Sequence, residues 1–105
     1  MTGSEEVLRT FGDAYIPLYR KSFDRLEIDV QLWDETIARF VAEDAQSIED
    51  LGTWECEALL RLPTASGTLP RFAIVDTDHN TTLSFTAGRI SYMKPDGATE
   101  LLFPT

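Results

Sequence analysis

Two glutamates two positions apart, Glu55 and Glu57, are the first residues whose type and spacing suit chemistry. On a β-strand both side chains would lie on one face, roughly 7 Å apart. Carboxylates at that separation can act as general acid and general base across a small substrate. Nothing in the neighbouring sequence predicts the enclosed environment that such catalysis needs, so we interpret them as charges on a solvated strand face.

The other reactive residue types predict no metal site and no nucleophile. The stretch Asp76-Thr77-Asp78-His79-Asn80 begins like a calcium loop, but Thr81 stands where the loop needs Gly and Ala87 where it needs Glu. His79 is the single histidine and no motif pairs it with a serine or cysteine. Cys56 is the single cysteine and falls on the apolar face of its segment, as a core thiol does. We therefore expect no cofactor and no metal.

Helices are predicted for the first half of the chain, about residues 4–51. A first helix is predicted over about residues 4–16 and ends or kinks near Ile16 because of Pro17. Its apolar residues at helical spacing are Val7, Leu8, Phe11, Tyr15 and Leu18. Residues 25–33 fit both a strand period and a helical period, and we favour an extended segment slightly. A second helix begins at Asp34 as its N-cap and carries Ile37, Phe40 and Val41 on one face.

Asp44 conflicts with this second helix. An unbroken helix to Leu51 would place Asp44 inside the apolar arc, where an unpaired carboxylate is costly. The sequence therefore predicts a break near Asp44 and a short third helix that Ser47 caps and Gly52 ends.

The second half, about residues 53–103, is predicted to be an antiparallel meander of four to five strands. Its apolar segments are short, and the turns between them are rich in Gly, Pro, Asp and Asn. The segments are residues 54–62, 71–77, 81–86, 89–93 and 98–103. The expected fold class is α+β, a single domain of residues 1–105 with two or three N-terminal helices packed on the sheet.

The charge is unevenly placed. The net charge is −9, and residues 1–57 have 14 acids and 5 bases whereas residues 58–105 have 4 of each. Between Asp34 and Glu57 eight acids accompany one base, Arg39. Such a field repels nucleic acid and anionic membranes and attracts basic proteins. A chain without a signal-peptide pattern or a long apolar run is expected to be cytoplasmic.

A resemblance bears on the alternative of an enzyme. The stretches EEVLRTFGDAY, ETIARFVAEDA and GRISYM resemble parts of the cone-shaped NTF2-like and SnoaL-like domains. The resemblance implies helices followed by a curved sheet around a small-molecule pocket, which often holds an acid–base Asp or His. Asp44 is the nearest match to that Asp, and Asp44 and Tyr15 would be the catalytic candidates.

The main expectation is a binding module and not an enzyme. Small acidic inhibitors, immunity proteins, antitoxins and anti-defence proteins dock an acidic surface on a basic partner, such as a nuclease or another nucleic-acid-binding protein. Direct nucleic-acid and membrane binding are not expected. A structural subunit, or a homodimer that pairs through the last strand, are further alternatives. The partner-binding residues expected here are Glu43, Asp44, Glu49, Asp50, Trp54, Glu55 and Glu57, with Trp33 as an anchor if exposed.

Overall fold

The computed structural model describes residues 5–52, 55–64 and 67–104, and the regular secondary structure in this part of the chain is β-strand throughout. The predicted α+β class is therefore wrong, and the described fold is an antiparallel all-β sheet. No helix able to cross a membrane occurs within these ranges. The nine strands are β1 (Glu6–Ser22), β2 (Arg25–Gln31), β3 (Ile37–Glu43), β4 (Gln46–Asp50), β5 (Glu55–Leu62), β6 (Arg71–Val75), β7 (Thr81–Thr86), β8 (Arg89–Met93) and β9 (Thr99–Phe103).

The predicted second helix is strand β3. Its buried residues are Ala38, Phe40 and Ala42, which recur with period two, whereas Ile37 on the predicted helical face is 43% exposed. β3 pairs in unbroken register with β2, whose Leu26, Ile28 and Val30 are also buried. The two strands thus satisfy each other's backbone hydrogen bonds and bury side chains on the same core face. The spacing of apolar residues within one segment does not reveal such pairing with a neighbouring strand.

The predicted first helix lies within β1, a strand of 17 residues. Three residues of the expected apolar face, Val7, Tyr15 and Leu18, are exposed, while Ala14 and Ile16 are buried. β-bulges interrupt the alternation of buried and exposed side chains along β1, so its sequence does not show the two-residue period of a regular strand.

Pro17 lies in one of these bulges and neither ends nor kinks a helix. Between the pairs Tyr15↔Gln31 and Leu18↔Asp29, two residues of β1 oppose one residue of β2. Proline lacks an N–H donor, and a bulge is a position in a strand where none is needed.

A bent two-stranded ribbon closes the sheet. The hydrogen-bonded order is β4-β7-β6-β5-β1-β2-β3-β8-β9. Glu43 of β3 pairs with Arg89 of β8, and Gln46 of β4 pairs with Thr86 of β7 in the same register. The segment from β3 to β4 and the segment from β7 to β8 therefore run side by side as one antiparallel ribbon. The β4–β7 pair at one end of the order is therefore joined through the chain to the β3–β8 pair near the other end, and the sheet curls on itself.

The break at Asp44 separates two strands, not two helices. Asp44 has a positive φ of 57°, and the Gly88 N–H opposite it donates to the carbonyl of Glu43. Ser47, which was expected to cap a third helix, lies inside β4. The predicted meander is also interrupted, because β7 and β8 belong to different parts of the sheet and do not pair with each other.

The main core lies inside the curled sheet. Phe11 and Phe40 meet edge to face with ring centroids 5.8 Å apart, and Tyr92 lies 5.2 Å from Phe40. On the far side Phe72 of β6 contacts Phe103 of β9 at 5.2 Å. Phe40 and Tyr92 are partners on the neighbouring strands β3 and β8, whereas β6 and β9 are distant in the sheet order, so the contact between Phe72 and Phe103 packs one part of the curled sheet on another.

Candidate functional site

The candidate site is built around the bulge between Thr10 and Ala14 of β1, which bends the strand and which we call the kink. Between the pairs Thr10↔Ala58 and Ala14↔Cys56, three residues of β1 oppose a single residue of β5. Asp13, in this bulge, has a positive φ of 53°. Phe11 anchors the kink from the inside through its contacts with the core rings, while Asp13 and Tyr15 are exposed on the outside.

One cleft lies on the β5 side of the kink and has a volume of about 230 Å³. Cross-strand pairing forms it, since Tyr15 is the direct partner of Glu55. Glu55 is exposed and Glu57 is half-buried. The lining residues are Asp13, Ala14, Tyr15, Glu55, Cys56, Glu57 and Thr77.

A second cavity, of about 450 Å³, lies on the β2 side of the same kink. Tyr15 reaches it because Tyr15 pairs with Gln31 on β2. Its other wall is the turn between β2 and β3, which exposes 78% of Trp33. The lining residues are Asp13, Tyr15, Gln31, Leu32, Trp33 and Glu35.

The turn that carries Trp33 is held by several hydrogen bonds. The Glu35 N–H donates to the Leu32 carbonyl, and the Leu32 N–H donates to the Thr36 carbonyl, both at 2.9 Å. Asp34 Oδ1 accepts from the Thr36 hydroxyl at 2.6 Å and from its N–H at 3.1 Å. These bonds favour the carboxylate and lower the pKa of Asp34. Trp33 is thus presented to solvent by an ordered turn.

The two cavities share Asp13 and Tyr15, and we call them together the acidic groove. Its charged lining residues are Asp13, Glu35, Glu55 and Glu57, and its exposed aromatic residues are Tyr15 and Trp33. No basic residue of the described ranges lines either cavity. Within the described ranges the ion pairs of the protein's bases go to other acids, such as Glu27, Asp29 and Glu100, and not to these four. The groove therefore holds uncompensated negative charge beside apolar rings.

The described residues of the groove offer neither a reactive thiol nor a metal site. Burial raises the pKa of the Cys56 thiol to about 12, and the nearby Glu57 carboxylate adds to the shift, so the thiol stays protonated. Across the described parts of the chain, no three His, Cys, Asp or Glu side chains are placed to hold a metal ion together.

Four of the residues expected to bind a partner lie elsewhere. Glu43 pairs with Arg89 at 3.4 Å, and Glu49 pairs with Arg71 at 3.0 Å. The carboxylates of both acids are thus balanced within the protein. The bend residue Asp44 is exposed, and its Oδ2 lies 3.0 Å from the point that a Cβ on Gly88 would occupy.

The fourth of these residues, Asp50, has a structural role. It accepts a hydrogen bond from the Tyr19 hydroxyl at 2.7 Å and another from the Gly52 N–H at 2.9 Å. The Tyr19 bond is the largest cause that lowers the pKa of Asp50. This carboxylate thus connects β4 to β1 through the Tyr19 hydroxyl.

The sequence prediction and the structure overlap in part of the site. The structure brings Glu55, Glu57 and Tyr15 together, and it exposes Trp33. Trp54 lies outside the described residues. Sequence reasoning missed Asp13 and Glu35, which lie 22 positions apart in the chain. The sequence did contain a signal for Glu35. If the alternating residues 25–31 are a strand, the Trp-Asp-Glu stretch after them lies in an exposed turn at the end of that strand.

The calcium-like stretch is a hydrogen-bonded turn. Asp76 Oδ1 accepts from the N–H groups of Asp78 and Asn80 at 3.0 and 2.9 Å. The His79 Nε2 lies 2.8 Å from Glu5 Oε2, which connects this turn to the start of β1. Comparisons with protein-family models, curated proteins and solved structures find no match to the chain.

Proposed function

We propose that the protein is a binding module that docks a basic segment of a protein partner in the acidic groove. One observation carries the proposal: four carboxylates without a basic partner among the described residues flank two exposed aromatic side chains in the same groove. An inhibitor, immunity or anti-defence protein that blocks a basic partner would use such a surface.

The acids and the aromatic residues have different roles in this proposal. Exposed ion pairs contribute little free energy each, but their summed field speeds the encounter and makes binding sensitive to salt. Aromatic side chains at the centre of an interface contribute most of the affinity. Trp33 suits that role, because its turn is already ordered and less entropy is lost on binding.

The first experiment compares three forms of the tagged protein. The groove variant has Glu35→Lys and Glu55→Lys. The control variant has Glu6→Lys and Asp24→Lys, which change the net charge equally at exposed sites outside the groove. Each form is incubated with lysate of the source organism at low and at high salt, and the retained proteins are quantified by mass spectrometry.

The proposal expects a basic protein that the wild type and the control variant retain at low salt, that high salt releases, and that the groove variant does not retain. Equal retention by both variants would show that the groove is not the docking surface. An absence of any salt-sensitive partner would count against the proposal as well.

A further inference from the structure

The cavity on the β2 side of the kink combines two kinds of group that bind cations. Tyr15 and Trp33 are aromatic, and the face of an aromatic ring attracts positive charge. Asp13 and Glu35 offer carboxylate oxygens, which accept hydrogen bonds from charged N–H groups. These four side chains line one space of about 450 Å³ that is open to solvent. The cavity is therefore large enough for the end of a long side chain.

The protein already uses this combination inside its own fold. The guanidinium of Arg9 lies over the ring of Tyr92, 4.5 Å from the centroid, and pairs with Glu100 at 3.6 Å. Arg61 lies over the ring of Phe103 at 4.8 Å. An arginine between a ring and a carboxylate is thus a stable arrangement on this sheet, whereas the groove has the ring and the carboxylates without the arginine.

We propose that the cavity between Tyr15 and Trp33 receives an arginine side chain of the partner. This inference rests on the proposed function and names the residue that the groove selects. A guanidinium is flat, so it can stack on a ring while its N–H groups reach carboxylates at its edge. Lysine has a compact, strongly hydrated charge that stacks less well.

Methylated lysine suits the cavity less well than arginine. A quaternary ammonium has no N–H group to donate to Asp13 or Glu35, and it is bound by an aromatic cage around the cation. Only two of the described lining residues are aromatic, so rings alone would not surround the cation. The carboxylates therefore point to a cation that donates hydrogen bonds.

The test uses three fluorescent nine-residue peptides of repeated Gly-Ser-Arg, Gly-Ser-Lys or Gly-Ser-trimethyllysine, with binding followed by anisotropy at low salt. We expect the arginine peptide to bind about two- to fivefold more tightly than the lysine peptide, the factor that an exposed cation–π contact supplies. Trp33→Leu should remove that difference. Phe23→Leu is the matched control, because Phe23 is 97% exposed and lines neither cavity.

The outcomes separate this inference from the proposed function. Equal affinities for arginine and lysine peptides, both lost in the groove variant with Glu35→Lys and Glu55→Lys, would overturn the arginine pocket and leave the docking groove standing. A preference for trimethyllysine, or an arginine preference that survives Trp33→Leu, would also overturn it. If no peptide binds the wild type, the arginine pocket is refuted.

Discussion

Replacement of Phe40 by alanine tests the strand assignment of the N-terminal half most directly. Phe40 is 0% exposed and contacts the rings of Phe11 and Tyr92. Truncation of a buried phenylalanine removes its transfer free energy and leaves a cavity, at a cost of about 3–5 kcal/mol. Domains of this size have a total free energy of unfolding of about 5–15 kcal/mol. The variant should therefore lose a large part of its stability.

The same structure predicts small effects at two comparison sites. Phe23→Ala removes the same atoms from a side chain that is 97% exposed, and it should change stability by less than about 0.5 kcal/mol. Ile37→Ala alters a residue that is 43% exposed and should cost about 1 kcal/mol. In the helix predicted from sequence, Ile37 and Phe40 would share one buried face, so Ile37 separates the two assignments.

The assay is urea unfolding followed by circular dichroism, with thermal melts as a second measure. Phe40→Ala should lower the melting temperature by about 12 °C or more, at about 4 °C for each kcal/mol. If Ile37→Ala cost as much as Phe40→Ala, the helical assignment would be favoured and the strand register refuted. A cost of less than about 1 kcal/mol for Phe40→Ala would refute the described core.

Two further predictions concern side chains whose pKa values are shifted. The pKa of Cys56 is raised to about 12, so the thiol should react with a disulfide reagent at pH 8 much more slowly in the native protein than in urea. Because the folded pKa is raised, the contribution of Cys56 to stability should be present below the unfolded pKa of about 8.5 and fall as the pH rises above it. A native thiol that reacted as fast as the unfolded one would contradict the burial. Tyr19→Phe removes the hydroxyl that donates to Asp50, so the pKa of Asp50 should rise towards its ordinary value in a carboxyl NMR titration; an unchanged pKa would exclude that bond.

Several features of the protein could be predicted from sequence, because the signals are local. The strands β5 to β9 lie in the apolar segments that turns rich in Gly, Pro, Asp and Asn separate. Residues 26–30, whose apolar and polar side chains alternate, lie in the half-buried strand β2. The excess of acids over bases in residues 1–57 is a property of the chain itself. The apolar setting of Cys56 also agrees with its burial in the structure.

The N-terminal half could not be predicted in this way. Val7, Phe11 and Tyr15 have a spacing that fits a helix, but bulges in β1 place them on different sides of a strand. A helix satisfies its hydrogen bonds locally, whereas a strand needs neighbours that the local sequence does not specify. β1 obtains those neighbours from β2 on one side and from β5, more than thirty positions further along the chain, on the other.

The candidate site depends even more on tertiary structure. The sequence by itself determined that acids and aromatic residues are abundant between residues 1 and 57. Only the pairing of β1 with both β2 and β5 decided which of them meet, because that pairing places Asp13 and Tyr15 between Glu55 on one strand and the Trp33 turn beside the other. The same fold directed Glu43, Glu49 and Asp50 to internal partners. The amino-acid sequence fixes how many charged side chains there are, but the fold decides which acids have a basic side chain within a few ångströms.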